Sequence, residues 1–104
     1  MMQAKQVLCR DRLRRVPAQF SWVDHRLVRM EYIRRCDCRC WALYLLLVTV
    51  ADAQGLSYYS DGKTAELLSL SPDEVREARR QLMAAGMIAY ERPLYQVLAL
   101  GGGA

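Results

Sequence analysis

The chain has 104 residues, 53% of them hydrophobic and 25% charged, with a formal net charge of +4. That length supports one domain around one core, and that balance excludes wholesale disorder. The longest apolar run, Trp41 to Ala51, is broken only by Thr49 and falls well short of the roughly 20 residues that cross a bilayer, so it reads as a buried helix and no membrane partner is expected.

Charge is unevenly distributed. Residues 1–40 hold ten Lys/Arg and four Asp/Glu, whereas residues 41–104 hold five and seven. A basic surplus favours a polyanionic partner, but here it lies mostly ahead of the apolar part of the sequence. No apolar leader with a small-residue cleavage site follows the basic N-terminus, so a cytoplasmic protein is expected. In that compartment Cys9, Cys36, Cys38 and Cys40 are expected to be reduced thiols and not a disulfide framework.

Residues 1–16 form a basic arm with little apolar periodicity, either a frayed end or an arm that touches phosphates. Pro17 opens the ordered domain, expected over residues 17–100. Ser21 and Asp24 stand at capping-box spacing, and Val23, Leu27 and Met30 follow helical spacing, which predicts a helix over Asp24–Arg35. The stretch Phe20 to Val23 would also suit a short strand.

Trp41–Ala53 is predicted as a helix with Leu43, Leu46, Leu47 and Val50 on one stripe and Gly55 as its stop. Its other sides are apolar too, which places it at the centre of the fold. Leu56–Tyr59 suits an edge strand. Ser60 then caps a helix over Asp61–Leu68, with Asp61 favourable in its first turn. After the turn Ser69-Leu70-Ser71 comes a complete helix start. Ser71 is the N-cap, Pro72 the first helical residue, and Glu74 can close a capping box. This helix is predicted to run to about Ala85 and stop at Gly86. Met87–Glu91 and Leu94–Leu100 are predicted as two strands joined at Arg92-Pro93, and Gly101-Gly102-Gly103 as a flexible tail over 101–104. The fold class is α+β, mostly helical.

Ala65, Leu68, Leu70, Ser71, Val75, Ala78, Leu82, Gly86 and Ile88 fill the spacing A-x-x-L-x-L-S-x-x-x-V-x-x-A-x-x-x-L-x-x-x-G-x-I. Each type has a reason in its place. A small Ala65 lets two helices cross closely, Leu68 and Leu70 wedge the turn, and Val75, Ala78 and Leu82 make one inward stripe. Over a little more than half the chain, these residues resemble the winged helix-turn-helix of bacterial regulators of the GntR type. They are also similar to replication-initiator and DnaD-like N-terminal domains, and to small helix-turn-helix proteins of mobile elements. The resemblance implies a central buried helix and a C-terminal two-stranded wing. It also implies double-stranded DNA as partner, bound through the third helix and the wing, in transcription regulation or in a replication or transposition accessory role.

At about 100° per residue, the side of that helix opposite Val75, Ala78 and Leu82 carries Arg76 and Arg80, with Arg79 on its flank. The resemblance makes Arg76, Arg80 and Arg79 the candidates for guanine or phosphate contacts, Lys63 a backbone contact from the preceding helix, and Arg92 a contact from the wing tip. The competing reading is a solvated face on which Asp73, Glu74 and Glu77 pair those arginines. A protein partner is then the alternative, with Tyr58, Tyr59, Tyr90 and Tyr95 as exposed aromatics, and a homodimer is compatible with either.

Cys36-x-Cys38-x-Cys40, with Cys9 or His25, would make four ligands for zinc, but alternate cysteines depart from zinc-site spacing. Arg34, Arg35 and Arg39 would lower the thiol pKa values and permit oxidation. The remaining reading is small side chains at a helix junction, so no metal or cofactor is expected. One histidine, without paired carboxylates or a Gly-rich phosphate loop, gives no catalytic constellation, and no enzyme or small-molecule substrate is expected.

Overall fold

The computed structural model describes residues 5–101, which form an α+β fold of four α-helices and one three-stranded antiparallel sheet. The helices are α1 (Arg26–Arg29), α2 (Cys38–Val50), α3 (Asp61–Leu68) and α4 (Pro72–Ala84). The strands are β1 (Leu56–Tyr58), β2 (Ile88–Glu91) and β3 (Leu94–Val97), in the order β1-β3-β2. No helix among the described residues is long and apolar enough to cross a membrane. Residues 1–4 of the expected arm and 102–104 of the expected tail lie outside the described part.

Where local signals are strong, the elements fall close to expectation. The Ser60 hydroxyl accepts from the Lys63 amide, and α3 spans the predicted residues. Ser71 and Glu74 close the capping box in both directions, and Pro72 is the first residue of α4. Helix α4 ends one residue before expectation. Gly86 then takes φ +73°, and the Met87 amide returns to the Leu82 carbonyl at 3.0 Å. Both hairpin strands are shorter than predicted, Ile88 pairing Val97 and Glu91 pairing Leu94.

Four expectations are corrected. The helix over Asp24–Arg35 is broken into α1 and a single 3-10 turn, Tyr32–Arg34, because Glu31 between them is left-handed at φ +59°. Ser21 does not cap it. Its hydroxyl donates to the Thr49 carbonyl, and the Asp24 carboxylate accepts from the Arg26 amide instead. The central helix is shifted by three residues at both ends, from Trp41–Ala53 to Cys38–Val50. Asp37 caps it by accepting from the Arg39 and Cys40 amides, which draws the last two cysteines of the motif into the helix. Gly55 accordingly is not its stop. At φ +85° Gly55 turns the chain into β1, and a Cβ there would stand 2.7 Å from the Val97 carbonyl oxygen.

The core lies between α2, α4 and the sheet. Leu43, Tyr44 and Leu47 meet Ala78, Leu82, Met87, Ile88 and Tyr95, with Leu27, Tyr32 and Leu100 closing the edge. Val75, Ala78 and Leu82 are buried, as their stripe requires. Helix α2 is not enclosed on every side as predicted, since Leu46 and Val50 are half-buried and Leu45 is exposed. Nor is Tyr95 an exposed aromatic. It is the largest fully buried side chain, and of the four tyrosines named above only Tyr58 is largely exposed.

Candidate nucleic-acid interface

Helices α3 and α4 are joined through Ser69, left-handed at φ +56°, and the Leu70 amide bonds the Ala65 carbonyl at 3.0 Å. Ala65 is buried in this junction, where α3 packs on α4. With its inner stripe committed to the core, α4 turns its other side outward. Arg76 and Arg80 leave 52% and 66% of their side chains exposed there.

Arg79 does something different. Only 12% of its side chain is exposed, and its guanidinium donates to both Asp61 oxygens at 2.7 and 3.3 Å and to the Tyr95 hydroxyl at 2.9 Å. It also lies 4.2 Å from the centre of the Tyr90 ring, which packs against Tyr95. One side chain therefore ties the first turn of α3 to α4 and to both strands of the hairpin. Burial works against its charge, but the Asp61 and Tyr95 hydrogen bonds outweigh it and hold its pKa above the ordinary value. The same contact with Arg79 holds the Asp61 carboxyl below its ordinary value.

A cavity of about 580 Å³ opens beside this network. Ser60, Asp61 and Gly62 at the start of α3 form one wall, Arg76 and Arg79 the floor, and Tyr59, Tyr90 and the hairpin tip Arg92-Pro93 the rest. The structure thus brings Arg76, Arg79 and Arg92 together around one groove. Arg80 lies outside its lining, one helical turn beyond Arg76, and Lys63 is exposed on the first turn of α3.

Electrostatically the outer face of α4 is mixed. Arg76 pairs with Asp73 and lies 3.8 Å from Asp61, while Arg80 pairs with Glu77 through two hydrogen bonds. The Arg80 hydrogen bond, followed by that from Gln81, holds Glu77 down at about 2. Among the described residues, neither Lys63 nor Arg92 enters an ion pair. Exposed pairs of this kind contribute little to stability, so they do not hold Arg76 and Arg80 firmly to their carboxylates.

Sequence reasoning missed three participants. Asp61 is the hub of the network and not only a favourable first-turn acid. Arg39 reaches from α2 to Glu74 at 3.5 Å, and Gln81 accepts from the Cys40 thiol at 3.0 Å. These contacts join residues 18 to 41 positions apart, and no local spacing announces them.

The cysteine motif divides across this junction. Cys40 is buried, Cys36 half-buried, and Cys38 and Cys9 exposed. Burial pushes the Cys36 thiol up and the Cys40 thiol to about 12, which reverses the expected lowering by Arg34, Arg35 and Arg39. No group of three or more His, Cys, Asp or Glu side chains among the described residues could hold a metal ion. A scan against protein-family models, a search of curated proteins and a search of solved structures all return no match.

Proposed function

We propose that the chain is a winged helix-turn-helix module that binds duplex DNA, with α4 as the reading helix and the β2–β3 hairpin as the wing. One observation carries this reading. A helix fastened by its inner stripe presents two exposed arginines one turn apart, and a hairpin tip bearing Arg92 is fixed beside it by Arg79. Arg76 and Arg80 reach base edges or phosphates from the groove-facing side. Arg92 and Lys63 flank them as phosphate contacts, and Arg79 positions the hairpin instead of touching DNA.

The acidic partners on the same face favour a second reading, in which this surface meets a protein. Asp73, Glu77 and Asp61 leave α4 without a strong positive field. Titrating a labelled random duplex over a salt series separates the two. The DNA reading expects affinity to fall steeply as salt rises, with a logarithmic slope of about −0.9 per phosphate neutralised. Absence of duplex binding at low salt would favour the protein partner.

A further inference from the structure

Away from the α4 face, the segment just ahead of α1 borders a second cavity, of about 450 Å³. Phe20 and Trp22 contribute one wall, and Val48, Leu98 and Leu100, from α2 and from the chain just after β3, contribute the other. The Ser21 hydroxyl donates to the Thr49 carbonyl at 3.3 Å and holds the first wall to the end of α2. Phe20 and Trp22 still leave 66% and 74% of their surface in solvent. A volume of this size, with apolar walls and a few polar groups, suits a small organic molecule.

The polar groups define what such a molecule must carry. The Tyr44 ring is buried, with only 7% exposed, and meets Trp41 edge to face with ring centres 5.4 Å apart. Its hydroxyl belongs to the cavity lining yet has no hydrogen-bond partner among the described residues. Burial, and after it the charge of Asp24, push the Tyr44 pKa up, so the hydroxyl keeps its proton and offers both a donor and an acceptor. Asp24 and Arg26 cancel one another, because two of the three guanidinium nitrogens donate to the carboxylate at 2.7 to 3.2 Å. Asp52 is the remaining charge on the lining. Its Oδ1 accepts from the Gln54 and Leu56 amides at 2.8 and 3.0 Å, which fixes the carboxylate in place and leaves Oδ2 free.

We propose that this cavity binds a small aromatic amine, with its ring between the Phe20–Trp22 wall and the aliphatic wall and its ammonium group at Asp52. The Tyr44 hydroxyl supplies a hydrogen bond, and the faces of Phe20 and Trp22 add attraction for the cation. An aromatic carboxylate would bring a like charge to Asp52, and a neutral ring would leave the free Asp52 oxygen unused. Arg26 is the one lining group that favours a carboxylate, and most of its donors are engaged by Asp24. The site uses neither Arg76 nor Arg80, so this inference stands whether or not the module binds DNA.

The test is a titration of the full chain with tryptamine up to millimolar concentration, read by backbone amide NMR shifts, beside indole-3-acetate and neutral indole. Tryptamine is expected to bind saturably, more tightly than either comparator, and to move the amides of residues 20–26, 51–55 and 98–100 most. Tyr44→Phe keeps the buried ring and should weaken tryptamine about two- to tenfold, the usual value of one hydrogen bond. Asp52→Asn keeps the oxygen that holds Gln54 and Leu56, and should weaken tryptamine about threefold while leaving indole unchanged. Trp22→Ala should weaken tryptamine and indole both. Asp52 and Trp22 are exposed, so these two variants should melt like the parent. No saturable binding of tryptamine would overturn the inference, as would shifts confined to the outer face of α4. Indole-3-acetate binding as tightly as tryptamine would do the same, and so would Asp52→Asn and Trp22→Ala chains that bind tryptamine like the parent.

Discussion

The stretch before α2 and the stretch from α2 onward solve different problems with similar fractions of apolar residues. Before Cys38, only Leu27 and Tyr32 are buried among the described residues, while Leu8, Leu13, Val16, Phe20 and Trp22 stand in solvent. From Cys38 to Gly101 the core closes, and charge is balanced by pairs such as Arg79–Asp61 and Arg80–Glu77. Hydrophobicity alone does not bury a side chain. It needs a second apolar surface within reach, and α2, α4 and the sheet supply one to each other, while Leu8, Leu13 and Val16 stay exposed and Phe20 and Trp22 only edge a cavity against Tyr44, Val48 and Leu98.

The largest effect that would expose this division lies in the core. Leu82 is fully buried between α2 and the sheet, so Leu82→Ala should cost about 2–5 kcal/mol. The matched truncation in the arm, Leu13→Ala, should leave stability of the body within about 0.5 kcal/mol, as exposed sites do. Denaturant melts compare them directly, and equal losses would erase the distinction.

A smaller effect sharpens it at the polar network. Arg79→Met keeps the aliphatic stem but leaves Asp61 and the Tyr95 hydroxyl without their donor and partner, and should cost about 1–3 kcal/mol. Acid should act through the same contact. Arg79 holds the folded Asp61 carboxyl below its unfolded value, so this stabilisation is complete above roughly pH 4 and fades as pH falls through the lowered folded value. Asp61→Asn should therefore be less stable than the parent at pH 7, and the difference should shrink below pH 4. Melts recorded from pH 7 to pH 2 show it. A constant difference would mean that the ion pair contributes nothing.

What could be read from the sequence follows the same division of local and distant. Helices α3 and α4 were legible nearly to the residue, because Ser60, Ser71-Pro72-Glu74 and Gly86 act within a single turn of each boundary. Helix α2 was displaced because its true cap, Asp37, sits inside a cysteine motif whose alternation suggests a loop. Cys40, in the first turn of α2, and Cys36, ahead of the cap, both approach Gln81, while Cys38 is exposed. The break at Glu31 was illegible, since Val23, Leu27 and Met30 keep helical spacing across a stretch that is not one helix. On the candidate site, the pairs Arg76–Asp73 and Arg80–Glu77 follow from i,i+3 spacing. Arg79 was legible only as lying on the flank of that face, and its burial depends on Asp61 and Tyr95, which the fold brings to it.

That inequality among three arginines on one helix bears on duplex binding most directly. Arg76 and Arg80 are exposed and contribute nothing to the core, so replacing both with Ala should shift stability by no more than about 0.5 kcal/mol per site. The measurement is duplex affinity of the Arg76→Ala, Arg80→Ala double variant beside the parent, by fluorescence anisotropy at fixed salt, with thermal melts of both. The account predicts parental melting and a loss of about 1–3 kcal/mol per base contact, or a salt slope reduced by about one for each phosphate contact. A double variant that folds and binds duplex as tightly as the parent would contradict it.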